Sequence, residues 1–182
     1  MHTIESLLKD AADLEASGVR SRNYDDRMTP EKLLAKAAWL QVQGRDSAYF
    51  IGHEPKDRLP AFKKGEEITI LKGTVLTGTF PDSQRNGHDK DGRPVRIAGR
   101  TYKVKVHDLT PGYMHQDWDH RTKGIGFHIR NAEICFVGAG GYWNYVDLND
   151  VPEAIEKFQG MQASSQPEMT ATMSDERLSP QS

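Results

Sequence analysis

A group of metal-ligating residue types lies in the middle of the chain, where residues 115–120 are HQDWDH. His115, Asp117, Asp119 and His120 place two imidazoles and two carboxylates within this short segment. Imidazole nitrogens and carboxylate oxygens at such spacing can converge on zinc or on a harder cation. A centre of this kind would make the protein a metal-dependent hydrolase.

This segment resembles the His-x-His-x-Asp-His loop of metallo-β-lactamase-type hydrolases, with Asp117 in the place of the second histidine. That family has a much longer αββα sandwich and further ligands downstream, whereas only His128 and a few acidic residues follow here. A polar turn between two strands explains the same residues. We therefore predict neither a metal nor a cofactor, and a hydrolase remains only as an alternative.

A second segment with possible chemistry is GAGGYWNYVDLNDV, residues 138–151. It does not match the dinucleotide fingerprint, because Trp143 stands where the third glycine belongs and an aromatic strand follows instead of a helix. We predict a turn that leads into a strand. Val146 and Leu148 would face the core of the protein, and Trp143 and Tyr145 would face outward. These aromatic residues are either covered by the N-terminal helices or form a recognition surface for a partner.

Overall composition excludes several classes of protein. The 182 residues are 36% hydrophobic and 27% charged, with a formal charge of −2. Cys135 is the single cysteine, so an internal disulfide and a thiolate zinc cage are excluded, and a buried, unreactive thiol is expected. The first residues fit neither a signal peptide nor a membrane span. We expect a cytoplasmic protein with no catalytic residues.

Positive charge is concentrated in one part of the chain. Residues 61–105 hold ten Lys or Arg against five Asp or Glu, whereas residues 132–182 hold two against eight. Such a segment meets phosphates, an acidic protein surface, or simply solvent. If the protein binds nucleic acid, the contacts are expected at Arg93, Arg96, Arg100, Lys103 and Lys105.

Two amphipathic helices are predicted near the start of the chain. Thr3 and Thr29 are the expected N-caps, Pro30 suits a first helical position, and Gly18 and Gly44 suit the helix ends. The predicted divisions are a helical hairpin over 1–51, a linker over 52–61, a β region over 62–151, a short helix over 152–160 and a disordered tail over 161–182.

Alternating residues predict the β region. Ile68 and Ile70 share one face, and Tyr102, Val104 and Val106 alternate with polar residues. Residues 81–94 are predicted to be a long mobile loop, with turns at Asn86-Gly87 and Asp91-Gly92. Several short strands in this space indicate an α+β fold with a small antiparallel barrel or a two-sheet roll.

The β region resembles SH3-like barrel proteins of unknown function that are encoded by bacteriophages and mobile elements. The likeness spans residues 62–151. It is carried by Lys72, Gly73 and Thr74; by Val104, Val106, His107, Pro111, Gly112 and Tyr113; and by Gly140, Gly141, Tyr142, Trp143, Val146, Asp150 and Val151. The resemblance implies an SH3-like β-barrel and a binding module encoded by such an element.

The resulting expectation is a non-catalytic module that binds a host or phage protein in the cytoplasm of a bacterial host, in an accessory or counter-defence role. Trp143, Tyr145 and Tyr113 are the expected contacts with that protein. Nucleic-acid binding and a minor virion component are the alternatives, besides the hydrolase. The sequence leaves the oligomeric state open.

Overall fold

A computed structural model of the chain describes residues 1–19, 23–77, 80–106, 127–130, 132–137 and 143–165. The helices are α1 (Ile4–Ser17), α2 (Pro30–Gln43) and α3 (Pro152–Ser164), and there are short 3-10 helices at Lys56–Arg58, Asp82–Gln84 and Leu148–Asp150. In this part of the chain no helix is long and apolar enough to cross a membrane.

The predicted caps of the first two helices are confirmed. The Thr3 hydroxyl accepts a hydrogen bond from the Ser6 N–H at 3.1 Å, and the Ser6 hydroxyl accepts one from the Thr3 N–H at 2.9 Å. This reciprocal capping box satisfies amides that the first turn leaves without helical partners. Thr29 caps α2 in the predicted way, and Gly18 and Gly44 end the two helices in the left-handed conformation that glycine tolerates.

The two helices pack together around a core that we call the helix core. Its buried side chains come from both helices, from the connection between them and from the segment after α2: Leu7, Ala11, Tyr24, Met28, Leu33, Ala37, Leu40, Ala48 and Ile51. The chain start also joins this unit, because β1 (His2–Thr3) pairs with β2 (Ser47–Ala48). The predicted helical hairpin is thus a packed unit with a core of its own.

In the described part of the chain, the remaining strands are all antiparallel and form two sheets. They are β3 (Glu67–Ile70), β4 (Val75–Thr77), β5 (Gly87–His88), β6 (Pro94–Ile97), β7 (Tyr102–Lys105), β8 (Phe127–Arg130), β9 (Glu133–Val137) and β10 (Trp143–Asp147). The larger sheet has the order β5-β6-β4-β10-β9-β8, and the smaller one contains β3 and β7.

The two sheets enclose a second core, which we call the β core. Ile68, Ile70 and Val104 from the smaller sheet are buried with Phe136 and Val146 from the larger one. The alternation predicted for β3 and β7 is therefore confirmed. The chain is α+β with antiparallel sheets, as predicted, and within the described ranges the sheets do not close into a barrel.

Residues 81–94 are more ordered than the predicted loop. A turn at Asn86-Gly87 was expected, and this is wrong, because Gly87 begins β5 and the Asn86 side chain bonds both backbone groups of Ile97. The predicted turn at Asp91-Gly92 is confirmed between β5 and β6, where the Asp89 carboxylate accepts the N–H groups of Asp91 and Arg93. This arrangement is a short hairpin stabilised by side-chain bonds to the backbone.

The segment Ala48–Ile51 belongs to both cores. Ala48 and Ile51 are buried in the helix core, whereas Phe50 is buried in the β core with Tyr49 packed against it. The predicted linker over 52–61 also contains the buried Glu54. Helix α3 begins at Pro152 as expected and continues to Ser164, four residues beyond the predicted end. The rest of the predicted tail, from residue 166, lies outside the described residues.

Candidate binding surfaces

Strand β10 carries the aromatic residues predicted to bind a partner. Its register places Tyr145 opposite Thr77 on one side and opposite Cys135 on the other. Tyr145 is partly buried and points away from the β core, as predicted, because its neighbour Val146 is fully buried there. The Trp143 side chain and all of Tyr113 lie outside the described residues, as do the glycines at 138, 140 and 141.

The sheet side that Tyr145 shares, which we call the outer face, also carries aliphatic residues. Val75 and Ile97 are directly opposite each other on β4 and β6 and are both partly buried. They lie on the side away from Leu76, which is buried in the β core. The outer face therefore has an apolar part, formed by Val75, Ile97 and Tyr145, which favours contact with another surface.

The five basic residues predicted for nucleic-acid binding do not share one surface. Arg93 is exposed beside the β5–β6 turn, and Lys103 and Lys105 are exposed on the smaller sheet. Arg96 is opposite Leu76, which places it on the core side of β6, and its guanidinium lies 5.2 Å from the Phe80 ring. Arg100 is exposed in the connection from β6 to β7, with its guanidinium 5.0 Å from the Tyr102 ring.

The predicted metal-ligating residues His115, Asp117, Asp119 and His120 lie outside the described residues. Elsewhere, in the part of the chain that the structure describes, no group of three or more His, Cys, Asp or Glu is placed to hold a metal ion. Cys135 is fully buried, which agrees with the expected buried thiol.

The end of β10 connects the larger sheet to α2. The Lys36 ammonium lies 3.4 Å from the Asp147 carboxylate, and both side chains are mostly buried. The same ammonium lies 3.7 Å from the centre of the Trp39 ring, and the Arg45 guanidinium lies 5.2 Å from it. An ion pair in such surroundings is screened by water much less than one on an open surface.

The turn after β10 continues this connection through Asn149. Its side-chain oxygen accepts the N–H groups of Tyr49 and Phe50 at 2.7 and 3.0 Å, and its amide donates to the Phe50 carbonyl at 2.8 Å. It also donates to the Asp147 carboxylate at 2.7 Å. One side chain thus satisfies the backbone of the segment shared by the two cores.

Asp150 adds an ion pair to the same turn, because its carboxylate accepts a hydrogen bond from the Arg45 guanidinium. Burial raises the pKa of Asp150 above its usual range, although Arg45 opposes this shift. The turn from Asp147 to Asp150, which we call the polar turn, therefore holds the helix pair against the larger sheet.

A further buried polar group lies within the helix unit. The Tyr24 hydroxyl donates to the Asp10 carboxylate and lies 3.5 Å from the His2 Nδ1. Burial and nearby positive charges lower the pKa of His2 to about 4. Burial raises the pKa of Glu54, whose carboxylate accepts the N–H groups of Ile51 and Gly52. These contacts fix the chain start and the residues after the shared segment.

An open groove of about 400 Å³ runs beside β3 and α3. It is lined by Phe62, Glu66, Glu67, Glu153, Glu156 and Lys157. Two of the glutamates have structural roles. Glu66 pairs with Lys157 at 2.9 Å, and Glu153 accepts the Thr69 N–H at 2.9 Å. The groove wall thus fixes α3 against β3.

Sequence reasoning missed the polar turn and its partners. A signal was present, because Lys36 lies three residues after Leu33 and four before Leu40, on the apolar side of α2. A charged residue on such a stripe indicates a buried partner, but helical spacing does not say which residue that is. Comparison with protein-family models, with curated proteins and with solved structures finds no match to this chain.

Proposed function

We propose that the protein is a non-catalytic binding module that engages a protein partner through the outer face of its larger sheet. The observation that carries this proposal is the apolar character of that face. Val75, Ile97 and Tyr145 are only partly buried there, whereas Leu76, Ile134 and Val146 on the opposite side of the same sheet are buried. Aromatic and aliphatic residues that are incompletely covered on a sheet are typical of interaction sites.

The fixed position of the helix pair supports this proposal. The ion pair between Lys36 and Asp147 holds α2 at one end of β10, next to the outer face, and the polar turn also bonds Arg45 and Tyr49 just after α2. A surface whose supporting elements are fixed loses little conformational entropy when a partner binds. In this proposal Tyr145 is a central contact, and Trp143 and Tyr113 extend it.

The origin of the partner is also a proposal. The likeness of residues 62–151 to SH3-like proteins of phages supports a β region of that type, and supports a host or phage protein as the partner. It also supports an accessory or counter-defence role in a bacterial cell. We place nucleic-acid binding behind protein binding, since Arg96 is on the core side of the larger sheet, whereas Lys103 and Lys105 are on the smaller sheet.

Affinity capture with matched variants tests the proposal. The full-length protein is immobilised, incubated with extract from a bacterial host, and the retained proteins are quantified by mass spectrometry. Val75→Lys and Tyr145→Ala alter the outer face, whereas Leu8→Lys alters an exposed apolar residue on α1. Thermal unfolding verifies that each variant is folded.

We expect the parent protein and Leu8→Lys to retain the same partner, and both outer-face variants to lose it. Retention of that partner by folded outer-face variants would contradict the proposal. Failure to retain any protein specifically would also contradict it. Loss of all retained material after nuclease treatment would favour the nucleic-acid alternative instead.

A further inference from the structure

Within the described residues the smaller sheet has two strands, and their register defines which backbone groups remain outside the pairing. Glu67 is opposite Lys105, and Thr69 is opposite Lys103. Next to them, the Val106 N–H donates to the Glu66 carbonyl at 2.9 Å and the Val106 carbonyl accepts the Gly65 N–H at 3.0 Å. Backbone groups alternate in direction along an antiparallel strand. Val106, Val104 and Tyr102 therefore point their backbone groups towards β3.

By the same alternation, the N–H and C=O groups of Lys103 and Lys105 point to the other edge of β7. No strand among the described residues pairs with that edge. Both residues are exposed. The outer edge of β7 thus presents backbone donors and acceptors in the spacing of a strand.

The opposite edge of the sheet is closed. Thr69 on β3 has its N–H directed away from β7, where it donates to the Glu153 carboxylate of α3 at 2.9 Å. Helix α3 is packed against β3 through the buried Ala154 and Phe158. Among the described residues, an added strand is therefore blocked beside β3 by α3, whereas no described strand occupies the place beside β7.

Charge indicates which kind of strand fits. Lys103 and Lys105 are exposed on one face of β7, and Arg100 is exposed just before it. Glu67 lies 3.4 Å from the Lys103 ammonium and offsets only part of this charge. A second copy of β7 at the same edge would bring like charges together, which opposes pairing. An acidic segment would be attracted instead.

We propose that the outer edge of β7 accepts an extended segment of a partner protein in which acidic and apolar residues alternate. The backbone of this segment bonds to Lys103 and Lys105. Its acidic side chains lie beside the two lysine side chains, and its apolar side chains lie on the side of Tyr102 and Val104. This surface is separate from the outer face, so the inference does not depend on the proposed function.

Synthetic peptides of about eight residues, the length of a long strand, test the inference against the full-length protein. The first peptide alternates glutamate with valine. The second has the same sequence with N-methyl groups on alternate amides, which removes backbone donors without changing charge. The third replaces glutamate with lysine. Binding is measured by fluorescence anisotropy, and amide exchange locates the contact.

We expect the glutamate peptide to bind and to slow amide exchange at Lys103 and Lys105. The N-methylated peptide and the lysine peptide should bind more weakly than the glutamate peptide by a factor of roughly ten or more. The double variant Lys103→Glu/Lys105→Glu should reverse the preference and bind the lysine peptide. The control variant Lys9→Glu/Arg93→Glu has the same net charge as this double variant, but its substitutions are at exposed residues away from β7. It should bind the peptides as the parent protein does.

Three results would overturn the inference. Equal binding of the N-methylated peptide would show that charge alone attracts the segment. Absence of binding by the glutamate peptide would show that the edge does not accept it. Self-association of the parent protein that protects Lys103 and Lys105 from exchange would identify a second copy as the occupant.

Discussion

Lys36 on α2 and Asp147 at the end of β10 form an ion pair with 3.4 Å between ammonium nitrogen and carboxylate oxygen. Their side chains are only 15% and 9% exposed, although 111 residues separate them in the sequence. This pair joins the helix unit to the larger sheet. Removal of one partner would leave the other charge without compensation, so the energetic effect is expected to exceed that of a surface pair.

Lys36→Met should therefore lower the free energy of unfolding by about 2 kcal/mol. Urea denaturation followed by circular dichroism measures this value. Lys9→Met is the matched control, because Lys9 pairs with Asp13 on the surface of α1 with side chains 72% and 59% exposed. It should cause no measurable change. Equal effects of the two substitutions would contradict a structural role for the buried pair.

Asn149→Ala should destabilise the protein by about 2 kcal/mol, because the N–H groups of Tyr49 and Phe50 would lose their acceptor. Asn86→Ala provides the comparison. The Asn86 side chain also donates to a backbone carbonyl and accepts from a backbone N–H, both of Ile97, but Asn86 is exposed on the β5–β6 hairpin. There, water replaces the lost bonds, so less than half the effect is expected in the same denaturation assay.

His2 should make stability depend on pH in a mildly acidic range. Its pKa is lowered from 6.5 to about 4 in the folded protein, so the unfolded chain binds the extra proton first. The contribution is present above about pH 6.5 and is lost as the pH falls towards about 4.

His2→Gln should flatten this part of the stability profile, by on the order of 2 to 3 kcal/mol across the range. Denaturation at a series of pH values measures the profile, and NMR titration of the imidazole measures the pKa directly. If the imidazole of His2 titrated near pH 6.5 in the folded protein, this would contradict the prediction.

Glu153→Ala should expose the β3 edge, since Glu153 is the acceptor of the Thr69 N–H. Amide hydrogen exchange at Thr69 is expected to become roughly tenfold faster, while Ile68 and Ile70, which bond to β7, remain protected. Glu156→Ala, an exposed change on the same helix, should leave Thr69 unchanged. Unaltered exchange in Glu153→Ala would show that this carboxylate does not close the edge.

Local chemistry explains which parts of the fold were predictable. Thr3, Thr29, Gly18 and Gly44 act within one helical turn of their own positions, so their roles follow from neighbouring residues. The alternation of apolar and polar residues in β3 and β7 likewise follows from a strand that has one face in the core and one face in solvent. Residues 3–17, 30–43 and 67–70 could be assigned on these grounds.

The other features depend on contacts between residues far apart in the sequence. Asn86-Gly87 has the composition of a turn, but the Asn86 side chain bonds across the hairpin to Ile97, and this places Gly87 in a strand. Asp147 lies on the same side of β10 as Tyr145, and its partner on α2 could not be foreseen from the spacing along the strand. Contacts of this kind are determined by tertiary packing, and the secondary-structure propensity of a residue carries no information about them.

The alternating burial of Ala48–Ile51 determines how the molecule loses its structure. Phe50 is buried in the β core, and its neighbour Ile51 is buried in the helix core. Because the two residues are adjacent, unfolding of one core displaces the backbone that positions a buried side chain of the other. Heat should therefore disrupt the helices and the sheets in a single cooperative transition. A fragment that ends at residue 51 would carry an exposed phenylalanine, and one that begins at residue 52 would contain a cavity in its place.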